Sequence, residues 1–239
     1  MSLRHANLIA IVVVLAATSV LVRWSVAPPP APVAAASDRT CAPIPRDADG
    51  GEMVPYPDVH RKLTQEQYVR LTTDLGPLEI TVYPEAAPAA ARRFLMLVQS
   101  GFYDHTPIFR VVPGFVAQFG INSDEGFRKF YAGPLPDEPS DFQLTRGTLA
   151  FAKAGPNTAD TQVFINYGDN SILRKQGGFT AFAVVRHGIR ALDRCRQAGE
   201  PGMGLDQSRL KADTPGYLKT LTVAPTMIEK ARLATCRPR

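Results

Sequence analysis

Three polar side chains sit inside stretches that otherwise have the apolar pattern of buried strands. Arg110 and Gln118 lie in the run FRVVPGFVAQFG, and Gln162 lies in TQVFINY. Phe115 and Phe164 accompany them, so the cation and the two amides are each close in sequence to an aromatic ring. A guanidinium stays protonated and presents rigidly oriented hydrogen-bond donors. In an apolar pocket, such a group can stabilise a lone pair or charge that develops only in a transition state.

The sequence lacks the patterns of the common hydrolytic and phosphate-binding chemistries. Its four histidines are scattered, with no HExxH pair. No GxSxG motif marks a nucleophilic serine, and GPNTAD lacks the lysine of a phosphate-binding loop. The three cysteines form no CxxC and no metal-ligand spacing, so we expect neither a metal nor a cofactor. The net charge of +5, with acids and bases interspersed, does not favour nucleic acid as a partner.

Alternating apolar residues predict short antiparallel strands around these side chains. YVRLTT and LEITVY flank the turn DLG and predict a hairpin over residues 68–83. Further strands are predicted at IFRVVPGFVAQFG, broken at its Pro-Gly pair, and at GTLAFA, TQVFINY, FTAFAVV and MIEKARL. Two helices are predicted, one after Pro88 and one at IRALDRCRQ, and residues 122–146 are predicted to be mostly loop. This pattern favours a mainly β, closed barrel with capped ends.

The run FRVVPGFVAQFG, followed by FAKAGPNTADTQVFI and then by FTAFAVV, resembles the cyclophilins, a family of peptidyl-prolyl cis-trans isomerases. The order and spacing of these segments are similar to the family over residues 65–234. The phrase TQVFINYGDNSIL resembles bacterial members in particular. The resemblance implies a closed eight-stranded antiparallel barrel with a helix over each end.

The resemblance also implies a role for each residue that matches the family's motifs. Arg110 matches the catalytic arginine, and Gln118 matches a catalytic-site glutamine that organises it. The other matches form the substrate-binding surface, namely Phe115, Val116, Ala152, Lys153, Ala154, Gln162, Phe164, Leu173, Phe179 and Phe182. Phe115, Val116, Phe164 and Leu173 are expected to receive the substrate proline, residues 152–154 to form a backbone rim, and Phe182 to lie beside the pocket.

Several positions depart from the family's pattern. Val116 stands where many members have methionine, and Lys153 where asparagine is frequent. Ile172 replaces a tryptophan that supports cyclosporin binding in eukaryotic members, and Phe179 stands where those members often carry histidine. These changes leave Arg110 and the surrounding motif in place.

The N-terminal segment predicts export. Residues 8–22 form the only long apolar run, preceded by Arg4 and His5, which is typical of a signal peptide or a signal anchor. The protein is then expected in the periplasm, either soluble after signal cleavage or tethered to the inner membrane through residues 6–26.

The chain accordingly divides into a signal or anchor (1–27), a Pro/Ala-rich tether (28–62) and an isomerase domain (63–235). Cys41, Cys195 and Cys236 allow three pairings that leave one thiol free. Because the first and last strands of the predicted barrel are neighbours, we favour Cys41 with Cys236 and leave the other two pairings open.

The function that these observations favour is the acceleration of cis/trans exchange at Xaa–Pro bonds in exported polypeptides. The expected partners are proline-containing clients, and we expect a monomer. Two alternatives remain open: a peptide-binding chaperone module with little turnover, and an assembly subunit of an envelope complex. Arg110 argues against a pure binder, because binding alone has no need of that cation.

Overall fold

The computed structural model describes residues 66–234. The predicted signal or anchor and tether lie outside these residues, as do Cys41 and Cys236, so the export and disulfide predictions remain predictions. Cys195 is half-buried and forms no disulfide with any residue that the structure describes. Within the described part of the chain, no helix is both long enough and apolar enough to cross a membrane.

One sheet organises the domain, and short helices surround it. The strands are β1 (Gln67–Thr73), β2 (Gly76–Val82), β3 (Thr106–Pro107), β4 (Arg110–Val112), β5 (Val116–Phe119), β6 (Thr148–Phe151), β7 (Val163–Asn166), β8 (Ala181–His187) and β9 (Met227–Ala234). The helices are α1 (Pro88–Gln99), α2 (Glu125–Tyr131), α3 (Ser171–Gly177), α4 (Ile189–Asp193) and α5 (Gln207–Lys219).

The nine strands found within residues 66–234 form a curled antiparallel sheet in the order β3-β9-β1-β2-β8-β6-β7-β5-β4. Its end strands, β3 and β4, are separated in the sequence by only Ile108 and Phe109. The backbone N–H of Ile108 donates to Thr226 O (2.8 Å), beside β9, whereas that of Phe109 donates to Gln118 O (3.0 Å) on β5. One stretch of chain therefore lies along both edges of the sheet. One more strand is observed than the eight predicted, because residues 106–112 form two edge strands, β3 and β4.

Apolar side chains from alternate strand positions fill the interior of the curled sheet. Ala117, Ile165 and Leu149 lie side by side in register on β5, β7 and β6, and each is at most 1% exposed. Because successive residues of a strand point to opposite faces, their neighbours in sequence face the other side of the sheet. That outer face carries the polar residues singled out in the sequence.

Helix α1 covers the interior and begins with a cap from a distant loop. Pro88 occupies the first turn, where its missing N–H costs nothing, and no side chain of the preceding residue caps the helix. Instead, the carboxylate of Glu138 accepts the backbone N–H groups of Ala89 (2.8 Å) and Ala90 (2.9 Å). A negative charge at this end also complements the helix dipole.

A second apolar cluster anchors α5 beside the site strands. Its buried members are Phe109, Ile121, Ala198, Leu205, Leu210 and Tyr217. Phe109 immediately precedes Arg110, so the cluster joins α5 to the strand that carries the arginine. The helix is kinked at Asp213, which has non-helical backbone angles, just before Pro215.

The prediction of two helices is wrong, because five are present among residues 66–234. The two predicted helices are α1 and α4. Helix α2 lies within the segment predicted as mostly loop, where Asp124 caps it by accepting the N–H of Phe127 (2.9 Å). Helices α3 and α5 were not predicted.

Candidate active site

Adjacent strands bring the polar residues of the sequence motif onto one face of the sheet. Arg110 lies opposite Gln118, and Gln118 lies opposite Phe164. Directly paired residues point to the same face, as do residues two apart in one strand. Val116 therefore shares this face with Gln118, and Gln162 approaches it from just before β7. Two sequence motifs that are separated in the chain by α2 and β6 are thus combined in one cluster.

Two oxygen atoms hold the guanidinium of Arg110. Its Nε donates to the carbonyl of Gly202 (2.7 Å), and its Nη1 donates to Oε1 of Gln118 (3.3 Å). Its carbon Cζ lies 5.8 Å from the centre of the Phe115 ring. No hydrogen bond to any residue within 66–234 uses Nη2 of this half-buried arginine. The group is therefore oriented by the protein and retains donors for a ligand.

A tight turn places the Gly202 carbonyl against β4. The backbone groups of Glu200 and Gly204 bond to each other, and the N–H of Leu205 donates to Phe109 O (2.8 Å). Gly204 has a φ of +80°, and a Cβ there would lie 2.3 Å from Phe109 O. Only glycine lets the turn approach the strand this closely.

The amide groups continue the hydrogen-bond network away from Arg110. Nε2 of Gln118 donates to Oε1 of Gln162 (2.9 Å), and Nε2 of Gln162 donates to Oε1 of Gln207 (3.0 Å). Gln207 is the first residue of α5 and was not predicted as a site residue. The capping residue Asp206 could have marked the helix start, but no sequence signal connects Gln207 with Gln162, which is 45 residues away.

Apolar side chains lie beside this network. Phe164 and Val116 are 4% and 2% exposed, and Phe115 is half-buried. Phe179, just after α3, meets the ring of Phe164 edge to face at 5.8 Å. Leu173 on α3 is also half-buried against the main core. Phe164, which is expected to receive a proline ring, thus contacts a second aromatic residue of the expected substrate-binding surface, Phe179.

Phe182 does not belong to this pocket, so its assignment to the substrate-binding surface is wrong. Its side chain is fully buried and contacts the rings of Phe94 and Phe151, each at 5.2 Å. Phe94 lies on α1, which covers the interior of the sheet. The pairing of β6 with β8 is interrupted by a register irregularity between Leu149 and Ala150. The alternation of side chains between the two faces of the sheet is broken there, so the sequence pattern alone does not show which face carries Phe182.

Residues 152–154 form a rim with a free backbone segment. The N–H of Ala152 donates to Gln162 O (2.8 Å), and that of Ala154 donates to the hydroxyl of Thr158 (3.0 Å). Between them, the backbone N–H and C=O of Lys153 bond to no residue that the structure describes. An extended peptide could bond to these two groups as it would to the edge of a sheet.

The side chain of Lys153 has a separate structural role. Its Nζ lies 2.7 Å from Oδ2 of Asp137, donates to Gly178 O (3.1 Å) and sits 5.1 Å from the centre of the Phe179 ring. The side chain is only 4% exposed. It therefore supports the ring of Phe179. The family motif implies a role only for the backbone of Lys153, so this contribution of the side chain was not predicted.

A cavity of about 600 Å³ adjoins the amide network. The three glutamines Gln118, Gln162 and Gln207 line one side, and residues 152–154 form its rim. The lining also includes five charged side chains: Glu125, Arg128, Lys129, Asp160 and Lys211. Burial raises the pKa of Asp160, although the charge of Arg93 and a hydrogen bond from the Gly133 N–H act in the opposite sense. The cavity is large enough for side chains of a bound peptide.

Among residues 66–234, the centre of the arrangement consists of one guanidinium and glutamine side-chain amides. These groups offer hydrogen-bond donors to a neutral ligand. In the described part of the chain, no three histidine, cysteine or carboxylate side chains converge as metal ligands do.

Comparisons of the sequence with known proteins identify similar isomerases. A family model described as "Cyclophilin type peptidyl-prolyl cis-trans isomerase/CLD" matches residues 68–213. The chain is 34% identical over 145 residues to a peptidyl-prolyl cis-trans isomerase of Acinetobacter baylyi, covering 59% of this chain and 77% of that protein. It is 30% identical over 164 residues to peptidyl-prolyl cis-trans isomerase B of Escherichia coli, covering 65% of this chain and 99% of that protein.

Solved structures share the fold. A cyclophilin type peptidyl-prolyl cis-trans isomerase of Cryptosporidium parvum superposes with a TM-score of 0.53 at 22% identity, covering 71% of this chain and 98% of that one. The same protein in the presence of the dipeptide Ala-Pro gives a TM-score of 0.52 at 23% identity, covering 70% and 99%. At these identities, the likeness supports the fold alone.

Proposed function

The chain belongs to the family of cyclophilin-type peptidyl-prolyl cis-trans isomerases, and from this premise we propose how its own residues catalyse the exchange. The reaction is the cis/trans isomerisation of Xaa–Pro bonds. In our proposal, Arg110 supplies the catalytic hydrogen bond. Gln118 and Gln162 orient it, and the neighbouring apolar side chains hold the proline ring.

The barrier to be lowered arises from amide conjugation. The C–N bond has partial double-bond character, and rotation about it costs about 18–20 kcal/mol. As the bond twists, the prolyl nitrogen loses conjugation, becomes pyramidal and gains a lone pair that the planar amide lacks. A donor that meets this lone pair binds the twisted state more tightly than either planar state. Such differential binding accelerates the reaction in both directions.

The donors of Arg110 suit this task. Nε and Nη1 are held by Gly202 O and Gln118, and Nη2 is directed to no protein acceptor within residues 66–234. The orientation is therefore set before a substrate binds, and no side-chain reorganisation is needed as the bond twists. An interaction formed only in the transition state is expected to affect turnover more than binding.

The apolar group beside the arginine is proposed to hold the proline ring. Phe164 and Phe115 would form its floor, with Val116, Leu173 and Phe179 around it. The backbone of Lys153 would bind the peptide chain, so that the residue before the proline swings while the ring stays fixed. The observation that most directly supports the proposal is the oriented guanidinium next to this buried aromatic surface. A cation does not strengthen the binding of a neutral proline ring in the planar ground state of the peptide bond, so its presence points to a role in the twisted state.

A protease-coupled isomerisation assay on an Xaa–Pro tetrapeptide tests this proposal with the full-length chain. Substoichiometric protein should accelerate the exchange over many turnovers. Phe164→Ala should raise KM several-fold because it removes the floor of the pocket. Phe130→Ala is the matched control, because this phenylalanine is 79% exposed on α2. Peptide binding without turnover would instead support the chaperone module.

We further propose that the clients are exported polypeptides and that the protein acts as a periplasmic monomer, either soluble or tethered through residues 6–26. The support is the apolar run 8–22 after Arg4 and His5. Protease added to cells with a permeabilised outer membrane should degrade residues 37–239 and spare a cytoplasmic marker. A protected cytoplasmic pool of full-length protein would exclude export, and analytical ultracentrifugation would test the monomer.

A further inference from the structure

Gln207 ends the amide network that begins at Arg110. Each of the two preceding glutamines accepts through its carbonyl oxygen and donates through its NH₂ group, so the network has one direction. If the amide of Gln162 were reversed, its NH₂ group would face the NH₂ group of Gln118. The guanidinium only donates, so it orients the oxygen of Gln118 toward itself, and Oε1 of Gln207 accepts the NH₂ group of Gln162 at the other end. Both ends of the network therefore support the same orientation of Gln118.

The backbone at Gln207 is held in place by the capped and packed start of α5, although the side chain is exposed. Its helix begins at Asp206, whose carboxylate accepts the N–H groups of Ser208 (2.8 Å) and Arg209 (3.1 Å). The N–H of Asp206 itself donates to the hydroxyl of Tyr217 (3.0 Å). Leu205 and Leu210, on either side of this turn, are buried against Phe109, the residue before Arg110. The helix start is thus tied to the strand that carries the arginine.

We propose that Gln207 is a positioning residue, which keeps the Arg110 guanidinium in its productive orientation through Gln162 and Gln118. The inference rests on the proposed catalytic role of Arg110. It assigns to α5 a function in turnover, although Gln207 lies outside the motifs that mark the site in the sequence. The fold brings Gln207 into hydrogen-bond contact with the motif residue Gln162.

One competing role must be separated from this one. Gln207 also lines the cavity beside the network, so it could contact a bound peptide directly. A direct contact would act on binding and would not depend on Arg110. A positioning role acts on turnover and disappears when the arginine is absent.

The test compares five variants of the full-length chain with the wild type in kcat and KM for the tetrapeptide. Gln207→Leu removes the acceptor at similar size, and Gln207→Glu keeps an acceptor for Gln162. Ser208→Leu is the matched control, an exposed polar residue of the same helix turn. Arg110→Ala is made alone and combined with Gln207→Leu. Because Gln207 is exposed, each of its variants should fold, as circular dichroism will verify.

Because Gln207→Leu removes a single hydrogen bond at an exposed site, we expect a modest fall in kcat. Gln207→Leu should lower kcat about three- to tenfold with KM changed less than about twofold, while Gln207→Glu and Ser208→Leu stay within about twofold of the wild type. Adding Gln207→Leu to Arg110→Ala should cause no further loss. In the ¹H–¹⁵N spectrum, the side-chain amide of Gln162 should shift in Gln207→Leu and remain in place in Ser208→Leu.

Other results would overturn the inference. A wild-type kcat in Gln207→Leu would exclude the positioning role. A rise in KM without a fall in kcat would indicate that Gln207 contacts the substrate directly. The same conclusion would follow if Gln207→Leu lowered activity as much in the Arg110→Ala background as it does in the wild type. Full activity of Arg110→Ala would instead refute the proposed role of the arginine, so the two failures are distinguishable.

Discussion

Replacing Lys153 by methionine should loosen the aromatic side of the proline pocket and leave the arginine step intact. The ammonium of Lys153 contacts the carboxylate of Asp137, the carbonyl of Gly178 and the ring of Phe179 within a side chain that is 4% exposed. Phe179 in turn meets Phe164 edge to face. Methionine is also unbranched but ends one atom earlier, so it keeps most of the apolar stem and removes the ammonium with its charge and donors.

The expected loss of stability follows from these three contacts. A hydrogen bond to a charged group contributes about 1.5–3 kcal/mol, and a partly buried cation–π contact about 0.5–2 kcal/mol. The carboxylate of Asp137 is 31% exposed and can recover water, and methionine avoids the desolvation cost of a buried ammonium. We therefore expect Lys153→Met to lower the free energy of unfolding by about 2 kcal/mol and Tm by about 4–8 °C.

Thermal unfolding and steady-state kinetics together test this expectation. KM for the tetrapeptide should rise several-fold because Phe179 loses its support, and kcat should stay within about twofold. Lys129→Met is the matched control, since its ion pair with Glu125 has the same 2.7 Å separation but side chains that are 76% and 67% exposed. The control should cost no more than about 0.5 kcal/mol. Equal stability of the two variants, or a fall in kcat alone for Lys153→Met, would refute the reasoning.

The structure also predicts the direction of the change in stability or in ligand binding for three other substitutions. Burial alone would raise the pKa of Asp104, but hydrogen bonds from Arg232 and from the Ala231 N–H lower it below its ordinary value of 3.8. Stability from this group is fully present above the pKa of the unfolded chain and is lost as pH falls below it and through the lower pKa of the folded state. Asp104→Asn should therefore flatten the decline of Tm below about pH 4. Glu138→Gln removes the charge that caps α1 and should cost about 0.5–1 kcal/mol in urea unfolding, and an unchanged midpoint would contradict the capping role. Ile172, 52% exposed beside the pocket residue Leu173, lacks an indole donor, so Ile172→Trp should strengthen cyclosporin binding in calorimetry; no change would argue against its match to the family's tryptophan.

Much of the fold was predictable because local patterns and turn residues agree with it. Alternation around Asp74 and Gly76 predicted the β1–β2 hairpin, and Pro88 predicted the start of α1. The Pro113–Gly114 pair marked the turn between β4 and β5. Helices α2 and α5 were missed because glycine and proline nearby obscured their capping residues, Asp124 and Asp206.

The site was predictable where the motif itself carries the residues. Arg110, Gln118 and Gln162 are brought together by strand register, which alternation within the motif already implies. The face of Phe182 depends on an irregularity in the pairing of β6 with β8, and no local pattern reveals it. Gln207 reaches the network through packing of α5 against Phe109, a contact between distant segments. Contacts of this kind arise from tertiary packing and leave no periodic signal in the sequence.

The central claim is that the guanidinium of Arg110 stabilises the twisted Xaa–Pro bond. The measurement that tests it most directly is kcat and KM of Arg110→Ala for the tetrapeptide, with circular dichroism to verify folding and Arg110→Lys as the charge-retaining comparison. Loss of one such donor predicts a fall in kcat of about a hundredfold or more, about 3 kcal/mol, with little change in KM. Arg110→Lys should recover little of it, because an ammonium cannot donate to Gly202 O and Gln118 while keeping the geometry of the planar fork. Isomerisation by Arg110→Ala at the wild-type rate would contradict the mechanism.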